Sequence, residues 1–319
     1  MAALSTGCTS RAQLLGLTAN EQVSAGAALT LAQADGIARR ALARAHQADV
    51  SRSMAAARTA FVGVALRTAA ASYAVNRVLD PASDDAGAVL APFAAPSRIV
   101  VTSGGRYPRT FLALSRPQGA ATDEIAVLST KDVRTPYRVA GRAQLLPGAE
   151  VPATAPGGQG AAILPDDAPG LAATPADVVR DYATVLQTGA SRSTRFASNP
   201  VTVSVRANAE GQARGVFRIA AFTQRHRPTA DPVQALRTAD GGALVMGAIE
   251  RTDDFTVKKG AGYLAPPAAY KALAGGIAKI TREAQVTTVQ MVVFAVPPPG
   301  KGPVRLIAFS ELPFSVRAT

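Results

Sequence analysis

The sequence predicts an α+β fold of two tandem units, each with N-terminal helices packed on a curved antiparallel sheet. Three observations carry this. Helical periodicity opens the chain after residue 28 and again after Thr174. Each helical stretch is followed by short apolar runs bounded by Gly, Pro or Asp, which read as hairpin-linked strands. A Pro/Gly-dense segment separates the two. Segregated helices and strands indicate α+β, because parallel sheets need alternating strands and helices.

The elements follow in order. From Leu29, residues Leu31, Ala34, Ala38, Ala41, Leu42 and Ala45 fall on one helical face, and the run continues towards Ala60. Phe61-Val62-Gly63 interrupts it, and Val64–Leu79 forms a second helical stretch ended by Asp80-Pro81. Strands are expected at Arg98–Thr102, Thr110–Ser115, Glu124–Ser129 and Tyr137–Leu145. Residues 29–146 thus make the first unit and 147–173 the linker. The second unit, 174–319, starts with a cap at Thr174, a Pro at the first helical position and Asp177 in the first turn. The alternating Val201, Val203 and Val205 predict a strand, with a turn at Asn208–Gly211 and a partner at Val216–Ile219. Asp240-Gly241 joins Ala235–Thr238 to Ala243–Ile249 as a hairpin. Pro266–Ile280 reads as a helix, and Val286–Val296 with Val304–Phe309 as the last hairpin.

Composition excludes several functions. One Cys in 319 residues rules out an internal disulfide framework and a Cys-cluster metal site. His46 and His226 are too few for a His-rich metal centre, and no cofactor motif occurs. No run of about 18 apolar residues is present to span a membrane. The net charge of +12 divides equally between residues 1–160 and 161–319. That spread is unlike the concentrated basic stripe of a nucleic-acid binder, and leaves weak attraction to anionic lipid or an acidic wall polymer.

The lone Cys has a telling place. Leu4-Ser5-Thr6-Gly7-Cys8 resembles the end of a bacterial lipoprotein signal, in which the Cys becomes the lipidated first residue. Residues 1–28 then read as a signal remnant, lacking its charged and apolar regions, followed by a polar tether. The expected location is the extracytoplasmic face of the cell membrane, with the membrane as partner through that lipid.

Further motifs carry a family resemblance. Arg106-Tyr107-Pro108-Arg109-Thr110-Phe111-Leu112 is the first. Phe61-Val62-Gly63-Val64-Ala65-Leu66, Pro136-Tyr137-Arg138-Val139 and Leu236-Arg237-Thr238-Ala239-Asp240-Gly241 accompany it. Together they resemble an uncharacterised family of actinobacterial lipoproteins and membrane-attached proteins, over roughly residues 29–316. The chain departs from that pattern at Thr110, where the family often has an aromatic, and in having no Trp near Tyr137. Each half also resembles the cone-shaped fold of nuclear-transport-factor-2-like proteins. The resemblance implies no assigned activity.

Two clusters are candidate ligand sites. Arg106, Tyr107 and Arg109 set two guanidinium forks around a rigid Pro, which suits a carboxylate or phosphate. Arg225 and His226 lie at a strand end, where flanking Arg residues disfavour a charged imidazole. The adjacent pairs Asp84-Asp85, Asp166-Asp167 and Asp253-Asp254 read as turn or cap residues. No catalytic residue stands out. The expected role is non-catalytic binding or scaffolding at the cell envelope. The alternatives are a hydrolase or isomerase using a pocket of the cone fold, and a structural accessory of an envelope complex.

Overall fold

A computed structural model describes residues 26–79, 94–104, 107–156, 158–189 and 194–319. Cys8, Arg106 and Asp84-Asp85 lie outside those residues. The class is α+β, with helices preceding strands in each half. Among the described residues the elements are α1 (Leu31–Ser51), α2 (Met54–Ala60), α3 (Gly63–Leu79), then β1 (Arg98–Val101), β2 (Arg109–Ser115), β3 (Glu124–Thr130) and β4 (Arg138–Leu145). After them come β5 (Ile163–Leu164), α4 (Pro175–Thr188), α5 (Pro200–Val216), β6 (Ala220–Pro228), β7 (Gln234–Arg237) and β8 (Ala243–Val257). α6 (Ala268–Leu273), β9 (Glu283–Val296) and β10 (Arg305–Ala318) complete the chain.

The strands of the two halves join one antiparallel sheet. Its order is β1-β2-β3-β4-β10-β9-β8-β7-β5, with β6 beside β8. The seam is narrow: Ala308 pairs with Leu145 and Phe309 with Gln144. The sheet bends until its two ends meet. Ala161, just before β5, donates to the Val101 carbonyl at 2.7 Å, and Ser103 donates back to the Ala161 carbonyl at 2.8 Å. Gly160 makes this approach possible. Its φ is +71°, and a Cβ there would stand 2.7 Å from the Ser103 nitrogen. Residues 147–173 carry the Pro and Gly residues expected of a linker, and they lie along the sheet and bond to both halves. Arg98 donates to the carbonyls of Val151 and Pro152, and Ala239 donates to that of Ala153.

Three apolar layers result. The concave face gathers Leu112, Ile125, Leu236, Leu244, Val293 and Ile307 from both halves. Outside the first half, the alanine stripe of α1 packs on Phe111, Leu128 and Val139. Outside the second, Val178, Tyr182 and Leu186 of α4 pack on Ile249, Val292 and Phe294.

Five readings differ from the sequence expectation; one is the strand expected at Val216–Ile219, where α5 ends and a turn leads to β6 at Ala220. The helical run expected from Leu29 towards Ala60 is broken because Arg52 turns left-handed (φ 47°) and Ser53 caps a new helix by accepting from Ala56 N–H. Val201, Val203 and Val205 lie in α5. There the Asn199 side chain accepts from Thr202 N–H and Pro200 takes the first turn, a start signal that outweighs the alternation. Helical spacing then sends Val203 to solvent while Val205 is buried. The helix expected over 266–280 spans only Ala268–Leu273. Asp253 and Asp254 sit within β8, where neighbours point to opposite faces.

Candidate functional site

A cavity of about 510 Å³ opens where the two halves meet, between α3, β3–β4 and β9–β10. That volume falls in the range of small-molecule sites. Val64, Val289, Met291, Phe309 and Leu312 supply apolar walls. A Cβ on Gly141 would stand 2.5 Å from Met291 Cε, so the bare glycine lets Met291 lie across β4.

The cavity's polar end is built by four elements. Asp49 continues the buried stripe of α1, at the spacing Ala38, Leu42, Ala45, Asp49. Tyr73 does the same on α3 after Ala65 and Ala69. Arg142 projects from β4 and Glu124 opens β3. Tyr73 Oη donates to Asp49 Oδ1 at 2.8 Å, and Arg142 Nη2 donates to Asp49 Oδ2 at 3.3 Å. Arg142 Nε stands 3.9 Å from Glu124 Oε1. The guanidinium also lies 5.4 Å from the centre of the Phe61 ring. Ser310 Oγ donates to the Arg142 carbonyl at 2.7 Å, tying β10 to this corner.

Burial sets the electrostatics. It pushes the Glu124 carboxyl above the usual range. Arg142 opposes that shift and Asp49 adds to it. Burial, with Asp49 behind it, also raises the Tyr73 phenol, so the hydroxyl keeps its proton and donates. Glu124 Oε1 is buried with no hydrogen-bond partner. A group there that donates a hydrogen bond would satisfy it.

A second polar cluster flanks the cavity. Arg251 Nη1 donates to Glu311 Oε2 at 2.9 Å, and its Nε stands 3.2 Å from Asp253 Oδ2. Fully buried Gln290 donates to the same Glu311 oxygen at 3.0 Å. Glu311 also lines the cavity, so it belongs to both groups.

Of the residues expected as a ligand site, the described ones, Tyr107, Arg109, Arg225 and His226, do not line this cavity. Tyr107 is partly exposed and Arg109 stacks over its ring at 4.6 Å. Arg225 pairs with Asp254 at 2.6 Å on an exposed face. His226, one residue on, points to the opposite face and is buried. Its pKa is pushed down to about 4, first by burial and then by Arg251 and Arg206. Its sequence neighbours Arg225 and Arg227 are not the cause. Asp49, Tyr73, Glu124 and Arg142 were missed. The available signal was a charged residue on an otherwise alanine-lined helical face. Among the described residues, no three His, Cys, Asp or Glu are grouped to hold a metal ion, and no helix is long and apolar enough to cross a membrane.

Fold and site together define an α+β protein with an amphipathic cavity at the joint of one continuous sheet. The chain belongs to the family described as a domain of unknown function (DUF8094), which matches residues 25–312. No curated protein and no solved structure matches the chain.

Proposed function

We propose that the chain is a non-catalytic binding protein of an actinobacterial cell envelope, held at the extracytoplasmic face by a lipid on Cys8, and that the cavity at the joint is its ligand site. One observation carries the binding reading. The cavity has apolar walls and a polar end that is fixed by the Asp49–Tyr73–Arg142 bonds and includes the Glu124 carboxyl in its lining. The ligand class is a small amphipathic molecule whose head donates a hydrogen bond. The test is a thermal-shift screen with alkyl alcohols, amines and carboxylates of equal chain length. Donor-headed members should stabilise the protein, and Thr68→Phe, which narrows the cavity, should abolish the shift. Equal shifts in Thr68→Phe would sink the assignment. The anchor has its own test. Cys8→Ser should release the protein from the membrane fraction, and unchanged partitioning would refute lipidation.

A hydrolase or isomerase is the second reading, favoured by Glu124. A carboxyl whose hold on its proton is strengthened by burial, at the end of a cavity, suits a general acid. Turnover of any substrate that is lost in Glu124→Gln with binding retained would favour it over simple binding.

A further inference from the structure

The net charge is shared evenly between the halves, but the lysines are not. Four of the six lie within residues 258–279. Residues 255–282 contain five Lys or Arg and no Asp or Glu. The structure gathers this stretch at one end of the sheet, where β6 begins, β8 ends, β9 begins and β10 ends. Ala220 pairs with Val257, Thr256 with Glu283 and Ala284 with Ala318. Backbone bonds hold the connections together: Lys258 N–H donates to the Ile219 carbonyl at 2.8 Å and Val257 N–H to the Arg282 carbonyl at 2.7 Å.

Arg218, Lys258, Lys259, Lys279 and Arg282 are all exposed at this end. Glu283 is the adjoining acid, and Asp254, further back, is paired with Arg225. Two aromatics stand out among these cations. Phe217 is 58% exposed and Tyr263 46%. Arg218 lies 5.7 Å from the Phe217 ring centre and Lys279 Nζ 4.7 Å from that of Tyr263. Lys258 Nζ donates to the Phe217 carbonyl, which fixes the loop that presents the ring.

We propose that this end of the sheet docks on an anionic membrane surface. Clustered cations that outnumber the acid beside them complement phosphate headgroups, and exposed aromatic rings settle at the boundary between headgroups and acyl chains. A soluble polyanion would complement the cations alone and give Phe217 nothing. The chain length outside the structure permits docking and anchoring on one membrane. β8 spans about 50 Å from the end near Gly26 to the basic end. The 18 residues from Cys8 to Gly26 reach about 60 Å when extended. Docking does not rest on lipidation, and the test removes it.

The experiment uses the full chain with Cys8→Ser and vesicles of phosphatidylcholine with or without phosphatidylglycerol. The protein should co-sediment with the anionic vesicles only, and less at high salt. Lys259→Ala with Arg282→Ala should weaken binding about 25-fold, taking about five-fold for each cation near the surface. Lys131→Ala with Arg134→Ala, in the β3–β4 turn, should leave it unchanged. Phe217→Ser should weaken vesicle binding and spare binding to soluble dextran sulfate. Equal loss in both cation pairs would reduce the effect to net charge and overturn the proposal. Vesicle binding unaffected by Phe217→Ser would overturn it in favour of a polymeric polyanion.

Discussion

The two halves run through the same order, helices then strands, and bury their helices by opposite means. In the first half the contact is made of small side chains: Ala34, Ala38, Ala41, Ala45 and Ala48 of α1, Ala57 and Ala60 of α2, Ala65 and Ala69 of α3. In the second it is made of large ones. Tyr182, Phe196 and Phe294 meet with ring centres 5.0–6.0 Å apart, and Val178, Val185 and Leu186 surround them. Small residues let helix backbones approach closely. Close approach is what allows Asp49, on α1, to reach Arg142 on β4. Large residues fill this contact, and α5 adds Thr202, Val205 and the partly buried Val201 to it. One half is therefore sensitive to added volume and the other to lost volume.

The largest expected effect tests the second half. Phe294→Ala should cost about 3–5 kcal/mol, the range for emptying a buried aromatic site, read from the urea midpoint at constant slope. A loss under about 2 kcal/mol would mean the aromatic cluster collapses easily and the contrast is weaker than it looks.

Next comes pH, where the halves respond with opposite sign. Buried His226 has a folded pKa of about 4, below the unfolded value of about 6.5. The unfolded chain therefore binds the extra proton between those values, and stability falls as pH drops through that window. The full effect is about 3 kcal/mol. Glu124 is shifted upward. Its contribution is present below the unfolded pKa and is lost as pH rises through the folded one. Urea titrations of wild type and His226→Leu at neutral and acidic pH separate the two. The variant should lose most of the acid sensitivity. If it keeps all of it, another group governs acid unfolding.

Ala41→Leu tests the first half. Overpacking a fully buried alanine should cost about 1–3 kcal/mol, measured by the same titration. A neutral result would show that α1 can shift outwards and that small side chains do not set its distance. The smallest effect is common to both halves. Thr30 caps α1 by accepting from Gln33 N–H, and Thr174 caps α4 by accepting from Asp177 N–H. Each Thr→Ala should cost about 1 kcal/mol.

Local signals carried most of the elements. The four strands of the first half were readable because Gly, Pro and Asp bound each apolar run, and α4 because cap, Pro and acid coincide at its start. In α5 the valines two apart satisfy a strand period and mask the Asn199-Pro200 helix start. The β4–β10 seam was invisible. Two paired residues some 160 positions apart leave no periodic trace in sequence. The cavity depends on that seam, so its polar end could not be assembled from four separate elements. His226 was noticed, but its low pKa comes from Arg251 and Arg206, partners contributed by other elements.

The Ala161 clasp bears on how the molecule behaves in company. An unpaired strand edge is a template for another chain, and proteins that carry one risk growing into aggregates. Here β1 would expose such an edge, but Ala161 occupies its end, and it can do so only because residue 160 has no side chain. A single extra methyl at Gly160 would unlatch this edge and draw Ala161 out of the rim of the inner core, leaving the rest of that core in place. The result would be a chain still folded in its parts yet newly adhesive to its own copies.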